Sequence, residues 1–127
     1  MEKLLGNSHE PYIIAELSGN HNGDKDRFFK LVREAAKSGA NAIKLQTYTA
    51  EAMTVMSDEE PFQVKDKNSI WYGKTLFDLY SEGSTPRAWH SDIFSLCHSL
   101  GVECFSSPFS SDDVEFLERM GCPFYKL

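Results

Sequence analysis

Short apolar runs alternate with amphipathic stretches along most of this chain, and this alternation limits the possible folds more than any other feature. Four runs have the length and apolar character of a strand: residues 11–17, 41–48, 102–109 and 123–127. The stretches between them contain apolar residues at helical spacing. Strands that alternate with helices are parallel and are joined by helical crossovers. The sequence therefore predicts an α/β fold, either a doubly wound sheet or a (β/α)8 barrel.

Capping residues locate the expected helix starts. Ser, Thr and Asp side chains accept hydrogen bonds from the unpaired backbone N–H groups of a first helical turn. We expect helices to begin after Asp24, Thr75, Thr85 and either Ser110 or Ser111. The helix after Thr75 lies inside a long connection, residues 49–84, that follows the carboxyl end of the second strand. Long connections in compact domains are usually functional or disordered, and α/β proteins keep their sites at this end of the sheet.

The length of the chain fits only part of a barrel. Its 127 residues are enough for one compact domain. A complete (β/α)8 barrel takes about 250 residues, and the fourth apolar run has no helix after it. We therefore expect residues 1–127 to form a partial (β/α)8 barrel domain with the first four parallel strands and their crossover helices, and we expect the chain to be a fragment.

Composition argues against two classes of partner. The formal net charge is -6, whereas binding to nucleic acids and anionic membranes requires basic surfaces. No apolar run reaches the roughly 20 residues that cross a bilayer, and the first ten residues lack the apolar core of a signal peptide. We therefore expect a cytoplasmic protein with small-molecule partners, no nucleic acid and no membrane.

Polar side chains stand at the carboxyl ends of the predicted strands. Glu16 ends the first strand, Lys44 and Gln46 point to one side of the second, Ser107 ends the third, and Lys126 lies near the end of the fourth. In a barrel these groups converge at one mouth. Lysine binds phosphate as a point charge, and Glu and Gln suit a ligand with many hydroxyl groups. A buried Lys–Glu pair with a purely structural role is the alternative.

The loop after the first strand carries Asn20 and His21 at the rim of the same mouth. A loop histidine is more often a local hydrogen-bonding group than a ligand, so spacing alone does not decide its role. His9, His90 and His98 are expected at the surface or in helix packing.

Four segments together resemble the N-terminal half of the sialic-acid synthase family. They read IIAELSGNHNGD, GANAIKLQTYTAE, WYGKTLFDLYSEGSTPRAWH and GVECFSSPFSSDDVEFLERMGCPFYKL. The motifs A-E-x-x-x-N-H, K-x-Q-T-Y and F-S-S-P-F occur in the order and at the spacing of the family, and GKTLFDLY most resembles its pseudaminic acid branch. The resemblance implies a (β/α)8 barrel followed by a small antifreeze-like domain, and a cytoplasmic transferase of carbohydrate biosynthesis that acts as a homodimer.

The resemblance also implies a reaction. Phosphoenolpyruvate condenses with an open-chain acetamido sugar: its C3 attacks the sugar aldehyde, water adds at C2, and phosphate leaves. A divalent metal, Mn or Mg, polarises the aldehyde, and its ligands lie outside this chain, as does the partner subunit's domain that completes the sugar site. Since these parts are missing, we expect the chain alone to be inactive.

Matched by motif, Glu16, Lys44 and Lys126 are the candidate catalytic residues. Lys44 and Lys126 match residues that hold phosphoenolpyruvate, as does Ser107, where some relatives carry threonine. Gln46 and Glu16 match contacts of the acceptor sugar, and Glu16 also matches a proton-transfer role. The matched loop adds two candidate substrate-binding residues with no firm role, Asn20 and His21.

Three alternatives remain open on the sequence alone. The acceptor could be that of an N-acetylneuraminate or legionaminate synthase. The chain could belong to another phosphoenolpyruvate-dependent barrel, such as a 3-deoxy-heptulosonate-type aldolase. It could also be a non-catalytic half-barrel that assembles through its unpaired parallel edge.

Overall fold

The computed structural model describes residues 11–127. The first ten residues of the predicted domain, His9 among them, lie outside the described residues. Strands β1 (Ile14–Glu16), β2 (Ala42–Thr47) and β3 (Glu103–Pro108) form a three-stranded sheet in the order β1-β2-β3. Both pairs of neighbours are parallel. Parallel strands in chain order with helices between them confirm the predicted α/β class and are consistent with half of a (β/α)8 barrel.

Within residues 11–127, five α-helices connect and cover these strands. They are α1 (Lys25–Lys37), α2 (Ala50–Met53), α3 (Leu76–Gly83), α4 (Arg87–Ser99) and α5 (Ser111–Arg119). Three of the predicted caps are confirmed, because the side chains of Asp24, Thr75 and Ser110 each accept a hydrogen bond from the backbone N–H three residues ahead. Residues 123–127 and the start of α4 differ from the predictions.

Helix α4 begins one residue later than its sequence predicts. Thr85 is the expected N-cap, but Pro86 occupies that position and makes no side-chain cap bond. Pro86 has ψ of 131°, outside the helical region, so the first helical residue is Arg87. Thr85 is instead buried, with 2% of its surface exposed, and the cap prediction for this residue is wrong.

The predicted fourth strand is reduced to a single bridge. Residues 123–127 form no strand, and Tyr125 makes one isolated parallel bridge to Ser106. The backbone N–H of Lys126 donates to the Ser106 carbonyl over 3.1 Å. Within residues 11–127 no strand lies on the far side of this segment, so it has only one neighbour to hold it extended.

The core lies on the outer face of the sheet, where the helices pack. Ile43 and Leu45 on β2 are fully buried there against Phe28 and Val32 of α1 and Ile93 of α4. Lys44 and Gln46 alternate with them along β2 and are only partly buried. The helices therefore bury one face of the sheet and leave the polar side chains of β2 on the other.

The long connection, residues 49–84, contains secondary structure of its own. After α2 it passes through a 3-10 turn, Glu60–Phe62, and an isolated antiparallel bridge between Gln63 and Thr75 leads into α3. In residues 11–127 no helix is both long and apolar enough to cross a membrane.

Candidate active site

Glu16 and Lys44 form the centre of the candidate site. The two residues are register partners in the parallel pair of β1 and β2. The Lys44 Nζ donates to the Glu16 Oε1 over 2.6 Å. The Lys44 side chain is 12% exposed and that of Glu16 42% exposed, so the ammonium is sheltered while the carboxylate faces the open side. One of the three ammonium donors is used by Glu16, which leaves donors for a second anion.

Gln46 and Ser107 lie one step further toward the carboxyl ends of the strands. They are register partners across β2 and β3. Ser107 is 7% exposed, and Gln46 is partly buried. The Gln46 Oε1 accepts a hydrogen bond of 2.7 Å from the Ser18 hydroxyl. The structure therefore brings together four of the predicted site residues: Glu16, Lys44, Gln46 and Ser107.

Lys126 follows directly after the bridge between Ser106 and Tyr125. Continued by one residue, this register places Lys126 opposite Ser107. The Lys126 side chain is exposed, and only its backbone N–H is bonded to β3. Its backbone position agrees with the predicted cluster, and its role there stays a prediction.

Asn20 and His21 occupy different environments although they are neighbours in one loop. Asn20 is exposed. The His21 ring is fully buried and packs edge-on against Phe28 and Trp89, with ring centroids 5.4 and 5.3 Å away. Its Nδ1 accepts the Gly23 N–H over 2.9 Å, so the neutral ring carries its proton on Nε2. Burial lowers the pKa of His21. A substrate-binding role for either residue stays a prediction.

Behind the mouth, a buried polar chain joins β2 and β3 to α4. The Thr47 Oγ1 lies 2.9 Å from the His90 Nε2 and 2.6 Å from the Ser106 Oγ. The His90 Nδ1 lies 3.2 Å from the Pro86 carbonyl; since a carbonyl only accepts, Nδ1 carries the proton and Nε2 accepts from Thr47. Burial is the main cause that lowers the pKa of His90. His90 thus lies in helix packing, as expected.

Sequence reasoning missed Ser18 and this buried chain. Thr47 directly follows Gln46, and Ser106 directly precedes Ser107, so the outward-facing neighbours of two site residues carry the buried bonds. The alternation of facing along a strand could have identified both hydroxyls as core residues that need a partner. No local pattern indicates that His90, 43 residues after Thr47, supplies it.

Metal binding is not provided by the part of the chain that the structure describes. In residues 11–127 no group of three or more His, Cys, Asp or Glu side chains is arranged to hold a metal ion. The divalent metal that the family resemblance implies, with ligands outside this chain, stays a prediction.

Fold and site together define a class: an α/β protein of the (β/α)8-barrel type with charged and hydroxyl groups at the carboxyl ends of its strands. Residues 31–127 match the model of the NeuB family. The chain belongs to the NeuB family.

Named relatives agree with this assignment. The chain is 46% identical over 116 residues to pseudaminic acid synthase of Campylobacter jejuni, which covers 91% of this chain and 33% of the relative. It is 44% identical over 117 residues to pseudaminic acid synthase of Helicobacter pylori, covering 92% and 34%. It is 31% identical over 125 residues to N,N'-diacetyllegionaminic acid synthase of Legionella pneumophila, covering 98% and 35%. The chain thus spans about a third of the length of these relatives.

Solved structures support the barrel fold. The N-acetylneuraminic acid synthetase of Leptospira borgpetersenii superposes with a TM-score of 0.69 at 24% identity, over 93% of this chain and 38% of that one. The spore coat polysaccharide biosynthesis protein SpsE of Bacillus subtilis superposes with a TM-score of 0.61 at 27% identity, over 91% and 28%. At 24% identity, the likeness to the Leptospira protein shows the fold alone.

Proposed function

We propose that the natural protein carrying this chain condenses phosphoenolpyruvate with an open-chain acetamido sugar to give a nine-carbon, sialic-acid-like sugar, and that the product is of the pseudaminic acid type. The identity of 44–46% to two pseudaminic acid synthases, over nine-tenths of the chain, carries the proposal. The lower identity of 31% to a legionaminic acid synthase favours the pseudaminic acid type among the acceptors considered.

In this proposal, Lys44, Lys126 and Ser107 bind phosphoenolpyruvate. Its phosphate and carboxylate are anionic and match two ammonium groups and a hydroxyl donor. The 2.6 Å bond to Glu16 holds the sheltered Lys44 ammonium in place before the substrate arrives. Lys44 therefore serves as a preorganised cation, and two of its three N–H donors are left for the anion.

Glu16 and Gln46 contact the acceptor sugar in this proposal, and Asn20 lies on the exposed loop beside them. The C3 of phosphoenolpyruvate forms a bond to the aldehyde carbon, the aldehyde oxygen takes a proton, water adds at C2, and phosphate leaves with its bridging oxygen. The half-exposed Glu16 carboxylate is the candidate for the proton transfer. The divalent metal is assigned no step, because the described residues offer no ligand set for it.

Replacement of Lys44 tests the proposal. The natural protein is incubated with phosphoenolpyruvate, Mn²⁺ and an acetamido sugar, and phosphate release and product mass are recorded. We expect Lys44→Met to lower kcat/KM at least 100-fold, since it removes the ammonium that binds the anion. Lys25→Met is the matched control, because Lys25 lies on α1 and pairs with Asp92 over 2.6 Å; it should retain activity within twofold.

Competing acceptors separate this proposal from its nearest alternative. Erythrose 4-phosphate replaces the acetamido sugar in a parallel assay of the same preparation. A seven-carbon product from erythrose 4-phosphate, with no product from any acetamido sugar, would refute the proposal and favour a heptulosonate-type aldolase.

A further inference from the structure

Ser18 has an unusual backbone conformation at the edge of the candidate site. It follows β1 by two residues and has a φ of 46°, in the left-handed region. Glycine adopts this conformation without a steric penalty, whereas a residue with a Cβ is disfavoured there. A serine at such a position indicates that its side chain contributes something that glycine would lack.

The side chain of Ser18 contacts a candidate substrate-binding residue. Its hydroxyl donates to the Gln46 Oε1 over 2.7 Å. Glu16 is the register partner of Lys44, and Ser18 and Gln46 each lie two residues further on. Two successive contacts therefore join the end of β1 to β2: the ion pair of Glu16 and Lys44, and the hydrogen bond of Ser18 and Gln46.

In the structure the Gln46 amide is oriented with its Oε1 toward the Ser18 hydroxyl. A glutamine amide has an acceptor oxygen and a donor nitrogen, and either can face a ligand when nothing restrains the group. With Oε1 held by Ser18, the NH2 group is the part left to donate. In residues 11–127 the Gln46 Nε2 has no hydrogen-bond partner within the protein.

We infer that Ser18 is a positioning residue, which orients the Gln46 amide so that it presents N–H donors to oxygen atoms of the acceptor sugar. The inference rests on the proposed function and adds a determinant of acceptor recognition to it. A ligand that offers carbonyl or hydroxyl oxygens is favoured, and one that offers only a donor at this point is disfavoured.

Two substitutions at Ser18 separate the positioning of Gln46 from the stability of the fold. One removes the hydroxyl and relieves the backbone, and the other keeps the hydroxyl and strains the backbone. Ser18→Gly removes the hydroxyl but relieves the backbone, so we expect a midpoint of thermal unfolding equal to or above the natural one. Ser18→Thr keeps the hydroxyl but places a β-branched residue at positive φ, so it should lower the midpoint.

Kinetics of the natural protein then give the decisive readout. A lost neutral hydrogen bond corresponds to roughly a 3- to 10-fold change in affinity. We expect Ser18→Gly to raise the KM for the acetamido sugar by that factor and to leave the KM for phosphoenolpyruvate within twofold. Ser18→Thr should retain the natural KM for the sugar in spite of its lower stability. Asn22→Gly, at the exposed Asn22 with φ of 52° in the same loop, controls for general loop effects and should change neither KM.

The outcomes distinguish this inference from the proposed function. If the natural protein forms no product from phosphoenolpyruvate and any acetamido sugar, the proposed function fails and the inference falls with it. If the natural protein is active but Ser18→Gly keeps its sugar KM, or raises both KM values equally, the positioning role is overturned while the proposed function stands. A selective rise with Ser18→Gly and none with Ser18→Thr supports the positioning role.

Discussion

The ion pair of Glu16 and Lys44 places opposite charges at the position proposed for the anionic substrate. An anion that reaches Lys44 meets the Glu16 carboxylate 2.6 Å from the ammonium, and like charges at such a distance repel. The ammonium has three donors, of which Glu16 uses one. Under the proposed function, we therefore expect the anion to bind on the side of Lys44 that faces away from Glu16, toward β3 and Ser107, and the uncharged acceptor to lie next to Glu16.

Two buried histidines make the stability of the protein sensitive to mild acid. Burial lowers the pKa of His21 and of His90 below the ordinary value of 6.5. The unfolded chain takes up protons near pH 6.5, whereas the folded chain does so only at lower pH. The stability that the two neutral rings contribute is therefore complete above pH 6.5. Below pH 6.5 the free energy of unfolding falls as the pH drops, by at most about 1.4 kcal/mol per pH unit for each ring.

Replacement of His90 tests this prediction. His90→Gln should be less stable than the natural protein at pH 7.5, because the substitution disturbs the bonds to Thr47 and Pro86, but its stability should change less between pH 6.5 and pH 5. Urea unfolding at several pH values measures the slope. The charged groups Arg87 and Asp113, which also act on the pKa of His90, remain in both proteins. His98→Gln, at an exposed position, is the control; a slope for His90→Gln equal to that of His98→Gln would contradict the prediction.

Among the secondary-structure elements, local chemistry made the strands and most helix starts predictable. Asp24, Thr75 and Ser110 cap helices because a side-chain oxygen satisfies the first free N–H groups, and this requires only neighbours in sequence. Thr85 has the same chemistry, but tertiary packing buries it and Pro86 takes the cap position. The segment 123–127 has the composition of a strand and makes only one bridge, because pairing depends on neighbours that its own residues do not specify.

The loop after β1 passes close to the end of helix α3 at Gly19 and Gly83. A Cβ built on Gly19 would lie 3.0 Å from the Gly83 carbonyl oxygen and 3.3 Å from the Gly83 Cα. Both are backbone atoms, so Gly19→Ala should push the end of α3 away from the loop after β1, at a cost of roughly 1–3 kcal/mol. We expect faster hydrogen exchange at the Leu79 amide, which bonds to Thr75 at the start of α3.

A second glycine provides the control for this prediction. Gly39 has a φ of 94°, and a Cβ added there would meet no atom within 4 Å. Gly39→Ala therefore strains the backbone without touching α3, and it should destabilise the protein without selective exchange at Leu79. Equal exchange at Leu79 in the two variants would show that the glycine contact does not hold α3 in place.

On the scale of the whole molecule, the described helices cover one face of the sheet and leave the other face open. The outer face carries the core of Ile43, Leu45 and their helical neighbours. On β1 the inward residue Ile14 is 42% exposed, although it lies in an apolar run. The alternation of strands and helices predicted this architecture, and the strand-end polar residues predicted the cluster of Glu16, Lys44, Gln46 and Ser107. The backbone angle of Ser18 was not predictable, because a serine in a loop gives no sign of a left-handed conformation.

The incomplete enclosure leads to a prediction for the chain as a whole. A (β/α)8 barrel builds its active site from groups at the ends of several strands and from the loops after all eight, whereas the described residues supply three strands and the single bridge at Tyr125. We expect residues 1–127 produced alone, with phosphoenolpyruvate, an acetamido sugar and Mn²⁺, to form no product above the background without protein, because Glu16 and Lys126 stand on its open side. Circular dichroism of the same sample verifies that the chain is folded. Product from the folded chain at more than about one-hundredth of the rate of the natural protein would mean that these residues suffice for catalysis.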